Sequence, residues 1–122
     1  MGRATDIFKT YYSFFSNIMP SYVEGFVPPN TPFPYLTYQV LDNDNLTNTM
    51  QQVRIWTKSS SMMELAGYLD MVESELGEGL VLPIQEGGHI LMTKGSPFMQ
   101  LVQDEDINIK SALLNIQLYI CK

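Results

Sequence analysis

The chain has one cysteine and one histidine among its 122 residues, and these scarcities remove most familiar site chemistry at once. Cys121 alone cannot close an internal disulfide, which fits a reducing compartment or a fold that needs no cross-link. His89 alone rules out paired-histidine metal sites and leaves one candidate for acid–base work. It follows Gly87-Gly88, where a solvent-exposed turn is the simpler expectation. No G-x-S-x-G, Cys-His signature, P-loop or G-x-G-x-x-G occurs, so the glycines are expected to serve turns. Basic residues are also few: Arg3, Lys9, Arg54, Lys58, Lys94, Lys110 and Lys122 stand singly. With a formal net charge of −6, such scatter argues against a free-standing nucleic-acid binder, because phosphate contacts need clustered cations. Apolar runs of membrane-spanning length are missing, so no membrane partner is expected. The start, Met1-Gly2-Arg3-Ala4-Thr5-Asp6, leads into no signal-peptide core and has Asp6 where a myristoylation signal takes Ser or Thr.

What remains is the composition of an ordinary folded protein, 45% apolar and 16% charged. One domain spanning residues 1–122 is expected, since two would each be too small for a core. Internal repeats and low-complexity segments are not found.

Thr5 or Asp6 can cap a first helix whose apolar residues Ile7, Phe8, Tyr11, Phe14, Phe15 and Ile18 recur at helical spacing, with Met19-Pro20 ending it. Residues 21–34, rich in proline, read as a long ordered arm anchored by Phe26 and Phe33. Tyr35-Leu36-Thr37-Tyr38-Gln39-Val40-Leu41 alternates as a half-buried strand, and so does Gln51-Gln52-Val53-Arg54-Ile55-Trp56-Thr57. The two are expected to pair as a hairpin across a long polar loop. Ser61-Met62-Met63-Glu64 has the form of a capping box opening a second helix. Met62, Leu65, Leu69, Val72 and Leu76 form its apolar stripe, and Gly77 its C-terminal stop. Residues 80–84 and 89–93 flank a turn at Gln85-Glu86-Gly87-Gly88. A short strand-like run follows Gly95-Ser96-Pro97, and the last strand carries Leu114, Ile116, Leu118 and Ile120 on one face. Ile107 and Ile109 have the opposite parity, which predicts a bulge near Lys110-Ser111. The expected fold is therefore α+β: a mostly antiparallel sheet of four to six strands with two helices on one face. Its polar face is left open to solvent or a partner.

Asp42-Asn43-Asp44-Asn45 invites calcium, but the fifth, sixth and twelfth positions of such a loop are Leu46, Thr47 and Val53 where ligands and glycine belong. Asn45-Leu46-Thr47 matches a glycosylation acceptor without a secretory context. Asp70 and Glu73 share a helix face that reads as solvated. No catalytic residue, metal ligand or cofactor is assigned. More informative is the polar sheet face, where Tyr35, Arg54, Trp56 and Tyr119 fall among Gln39, Gln52, Asn115 and Gln117. Aromatics and arginine among uncharged polar groups are what interface cores favour. Cover of Trp56 by a loop or by the proline arm is the competing expectation.

Thr31-Pro32-Phe33-Pro34-Tyr35-Leu36-Thr37-Tyr38, the strand carrying Trp56, the capped helix and Lys94-Gly95-Ser96-Pro97-Phe98-Met99-Gln100 occur in an order that resembles the small tail terminator (tail completion) proteins of long-tailed bacteriophages and prophages. In element order the resemblance covers nearly the whole chain. It implies a non-enzymatic virion subunit, assembled in the host cytoplasm, that forms a ring, commonly a hexamer. Such a ring caps the tail tube protein, ends its polymerisation and offers a surface to the head–tail connector. DNA would pass through the lumen without specific binding, and an acidic wall would let it slide. By loop position, Asp42, Asp44, Asp104, Glu105 and Asp106 are the candidates to face that lumen. Other connector or tail tube components, a small ligand-binding or regulatory α+β domain, and an enzyme with an unrecognised pocket remain alternatives.

Overall fold

A computed structural model describes residues 3–39, 48–84 and 87–121. Among the described residues eight elements follow one another: α1 (Arg3–Ser16), β1 (Ser21–Val23), β2 (Tyr35–Tyr38), β3 (Asn48–Lys58), α2 (Met63–Leu76), β4 (Leu80–Pro83), β5 (His89–Val102) and β6 (Ile109–Cys121). The strands form one sheet in the order β1-β2-β3-β6-β5-β4, antiparallel except for the β1–β2 pair. This is the α+β architecture expected from the alternating strands.

One face of the sheet is the core. Val53 and Ile55 of β3, Leu36 and Tyr38 of β2, Ile90 and Met92 of β5, and Ala112, Leu114, Ile116 and Leu118 of β6 all point into it. Tyr11, Phe14 and Phe15 of α1 and Leu65, Leu69, Val72 and Leu76 of α2 close over them. The rings of Tyr11, Phe15 and Tyr38 meet at centroid distances of 4.8 to 6.3 Å. Period-two and period-3.6 apolar patterns thus meet in a single layer, which is why the fold is legible from the chain.

The structure departs from the residue pattern at several points. Thr5 and Asp6 lie inside α1, which already begins at Arg3. The capping box does not form: Met62 is the N-cap, and the Ser61 hydroxyl accepts from the Met63 amide at 3.1 Å instead of from Glu64. Met62 is correspondingly exposed, not part of the buried stripe. Phe26 is no anchor, being 77% exposed. The arm contributes instead a short strand, β1, whose three residues are too few to show alternation and whose parallel pairing with β2 is non-local. Val40 and Leu41 lie outside the described residues.

The irregularity expected at Lys110-Ser111 is elsewhere. Pairing of β3 with β6 runs unbroken through both residues, and Ile107 sits in the turn before β6. The bulge is in β5: Lys94 pairs with Ile116 and Met99 with Leu114, so residues 95–98 stand opposite Asn115 alone. A β-carbon at Gly95 would come within 2.8 Å of the Asn115 carbonyl oxygen and of Met50 Sδ. Glycine is required there by close approach, and Asn115 Nδ2 fastens the bulge by donating to the Pro97 carbonyl at 2.9 Å. Gly95-Ser96-Pro97 is therefore a kink within one long strand, not a break between two.

Candidate functional site: the open face of the sheet

Alternation along β3 sends Gln52, Arg54 and Trp56 to the face away from both helices. Register places Tyr35 of β2 beside Trp56 and Thr37 beside Arg54. The Tyr35 and Trp56 rings stack at 6.0 Å with 22° between planes, and Phe33 and Tyr22 extend the aromatic group at 5.2 and 6.0 Å from Tyr35. The Arg54 guanidinium carbon lies 3.7 Å from the Trp56 ring centroid, a cation–π contact.

The polar atoms of this cluster are held within it. Arg54 donates from Nε and Nη2 to Ser111 Oγ at 3.2 and 2.9 Å, and Trp56 Nε1 donates to Thr37 Oγ1 at 3.2 Å. Burial raises the Tyr35 phenol above its ordinary value, while the neighbouring Arg54 charge pulls it partly back. Tyr35 therefore presents a neutral ring and hydroxyl at physiological pH. The result is a half-buried, pre-ordered platform with one positive charge, suited to covering an apolar or π-rich surface. Trp56 is covered in part by Tyr35 and Arg54, and the proline arm reaches the group through Phe33.

Of the four residues expected to share this surface, three meet and one does not. Tyr119 pairs with Asn48 on one side and Leu91 on the other, whereas Trp56 pairs with Ser111. Eight residues of strand separate Ser111 from Tyr119, roughly 26 Å at the rise of an extended chain. Tyr119 lies at the far end of the open face, 36% exposed, near the similarly exposed Met50 and Val81. Thr37, Ser111 and Tyr22 were not singled out by sequence. Parity places Thr37 and Ser111 on this face, but only register shows that their hydroxyls meet Trp56 and Arg54.

The acidic candidates fare differently. Asp42 and Asp44 lie outside the described residues. Asp104, Glu105 and Asp106 form the connection between β5 and β6, where Asp104 Oδ1 accepts from the Asp106 amide at 3.0 Å and Asp106 Oδ1 from the Asn108 amide at 2.9 Å. Two of the three carboxylates thus fold their own turn. His89 begins β5 opposite Cys121, with Gly87 and Gly88 before it at φ of 110° and 89°. Among the described residues no group of three or more His, Cys, Asp or Glu side chains is placed to hold a metal ion, and no helix is long and apolar enough to cross a membrane. The cleft between α1 and α2, lined by Phe14, Ile18, Asp70 and Met71, is open to solvent.

No protein-family model matches this chain, and no curated protein matches it closely enough to stand as a relative.

Proposed function

We propose that this chain is a structural subunit of a homo-oligomeric ring, most simply a hexamer, that caps a phage-type tail tube and offers its other side to the head–tail connector. The observation that carries this reading is the open sheet face. Both helices pack on one side, and the other side bears a pre-ordered cluster of Tyr35, Arg54 and Trp56 whose internal hydrogen bonds are already made. Such a platform loses little entropy on docking and buries aromatic surface, which is how interface centres work. The order of motifs along the chain resembles that of tail terminator proteins, and this resemblance favours the same role. The acidic charge suits a wall past which DNA slides without being held.

Negative-stain microscopy of the purified protein at high concentration, alone and with tail tubes, tests the proposal. Rings, free or on tube ends, are expected. A protein that stays monomeric and ignores tubes would overturn it. Trp56→Ala should weaken assembly more than it lowers the melting temperature; equal loss of both would assign Trp56 to the fold alone.

A further inference from the structure

An apolar groove lies at the end of the β5–β6 hairpin, beside the start of α2. Met62, Leu101, Val102, Ile107 and Ile109 line about 800 Å³ of open space together with the charged Asp104 and Lys110. Leu101 is 60% and Ile107 79% exposed, and Met63 and Met99, close by in the chain to Met62 and Leu101, are exposed as well. β4 pairs with β5 only as far as Met92. From Met99 to Val102, β5 has β6 on one side and no described strand on the other. Exposed apolar side chains beside an unpaired strand edge are a ready seat for an apolar side chain of a partner.

The segment that fits is on this chain. Residues 25–34, Gly-Phe-Val-Pro-Pro-Asn-Thr-Pro-Phe-Pro, carry no charge in a protein of net charge −6. Phe26 stands on this arm 77% exposed, with its amide fixed to the Val23 carbonyl at 2.9 Å and the arm tied further by the Thr31 hydroxyl donating to the Pro28 carbonyl. Proline and these bonds hold the arm in advance, so little ordering is lost on docking. The arm of the same molecule does not fill the groove, since Phe26 is 77% exposed and no arm residue lines it. The arm leaves the sheet at β1, one edge, and the groove lies by β5, four strand positions away or about 19 Å. Acidic copies repel one another, and Asp104 lines the groove with Glu105 and Asp106 next to it in the chain. The uncharged arm can approach that border without forming a like-charge pair.

We infer that the groove at the end of the β5–β6 hairpin receives the proline arm of a second copy of this chain, with Phe26 as the anchoring side chain. Knob and hole sit on opposite edges of one sheet, so the contact is head-to-tail and propagates into a ring or filament. The inference rests on the ring reading and supplies it with a subunit contact distinct from the Trp56 platform.

Two measurements separate this contact from the ring itself. In the first, a synthetic peptide of residues 22–34 is titrated into the full chain under monomeric conditions and followed by NMR. Shifts are expected at Leu101 and Ile107, with Phe26→Ala in the peptide weakening binding about tenfold to a hundredfold, as loss of a buried phenylalanine should. An absence of shifts at the groove overturns the inference even if rings form. In the second, Phe26→Asp and Leu101→Asp are made in the full chain, both at exposed positions where the melting temperature should hold. Each alone should stop assembly, and an equimolar mixture should give dimers and nothing larger, because one partner keeps an arm and the other a groove. Full rings from either variant would remove the arm from the interface and leave the ring reading standing. Peptide binding at the groove without rings under any condition would retain the contact and remove the ring.

Discussion

Neighbouring residues on β3 live in different worlds. Val53 and Ile55 are fully buried beneath the helices, while Arg54 and Trp56, one residue on from each, form a half-exposed platform built from hydrogen bonds and stacked rings. The covered face is held by non-directional burial and close packing, in which every methylene counts. The open face depends on directional contacts that are individually small, near water, and already made before any partner arrives. The fold should therefore be sensitive to the first face and association to the second.

The contrast would be broken most severely at Ile55. Ile55→Ala should cost about 2–5 kcal/mol, measured by denaturant unfolding, because it leaves a cavity where β2, β3 and α2 meet. A cost below about 1 kcal/mol would mean that the covered face is not tightly packed. Next in size is Gly95 on the open side. Gly95→Ala sets a methyl group against the Asn115 backbone and Met50, and a destabilisation of about 1–3 kcal/mol is expected from this overpacking. An unchanged melting temperature would show that the bulge yields.

Tyr11 sharpens the comparison from within the core. Its ring packs on Phe15 and Tyr38, but its buried hydroxyl finds no partner among the described residues. Burial pushes the phenol well above the ordinary tyrosine value of 10.0, with Tyr38 adding to the effect. A raised folded-state value means that the folded protein keeps a proton the unfolded chain releases. Stability from this group is whole below about pH 10 and falls as pH climbs toward the folded value. Tyr11→Phe should raise stability by about 1 kcal/mol at neutral pH and flatten the alkaline decline above pH 10 in thermal melts. A decline that persists unchanged would assign it to other groups. Smallest is the exposed pair of Lys94 Nζ and Glu73 Oε2, 3.3 Å apart. Glu73→Gln should change stability by less than about 0.5 kcal/mol, and a larger loss by chemical unfolding would mark the contact of α2 with β5 as more than a solvated ion pair.

Much of this was legible in residue order. Alternation in β2, β3 and β6 and the stripe of α2 are local periodicities, and each names its buried face without reference to the rest of the chain. The caps were less legible. Ser61 and Glu64 have the right types at the right spacing, yet the helix starts two residues after Ser61 and the hydroxyl bonds the first amide. Choosing among neighbouring donors takes backbone geometry. The parity conflict near residue 110 reflects Ile107 lying in the turn before β6, not a bulge, and the bulge of β5 stands opposite Asn115, where the alternation of β6 is regular and carries no sign of it.

The candidate surface divides in the same way. Parity alone puts Tyr35, Arg54, Trp56 and Tyr119 on one face, since side chains alternate along any strand. Only tertiary pairing decides that three of them touch and that Tyr119 stands some eight residues away. The sequence by itself determined an acidic α+β domain with a covered and an open sheet face, because burial follows from period. The folded chain alone decided that β1 pairs in parallel, that the bulge turns at Gly95, and that an uncharged arm and an apolar groove end on opposite edges. Those depend on which strands become neighbours, and that choice is made by the whole core at once.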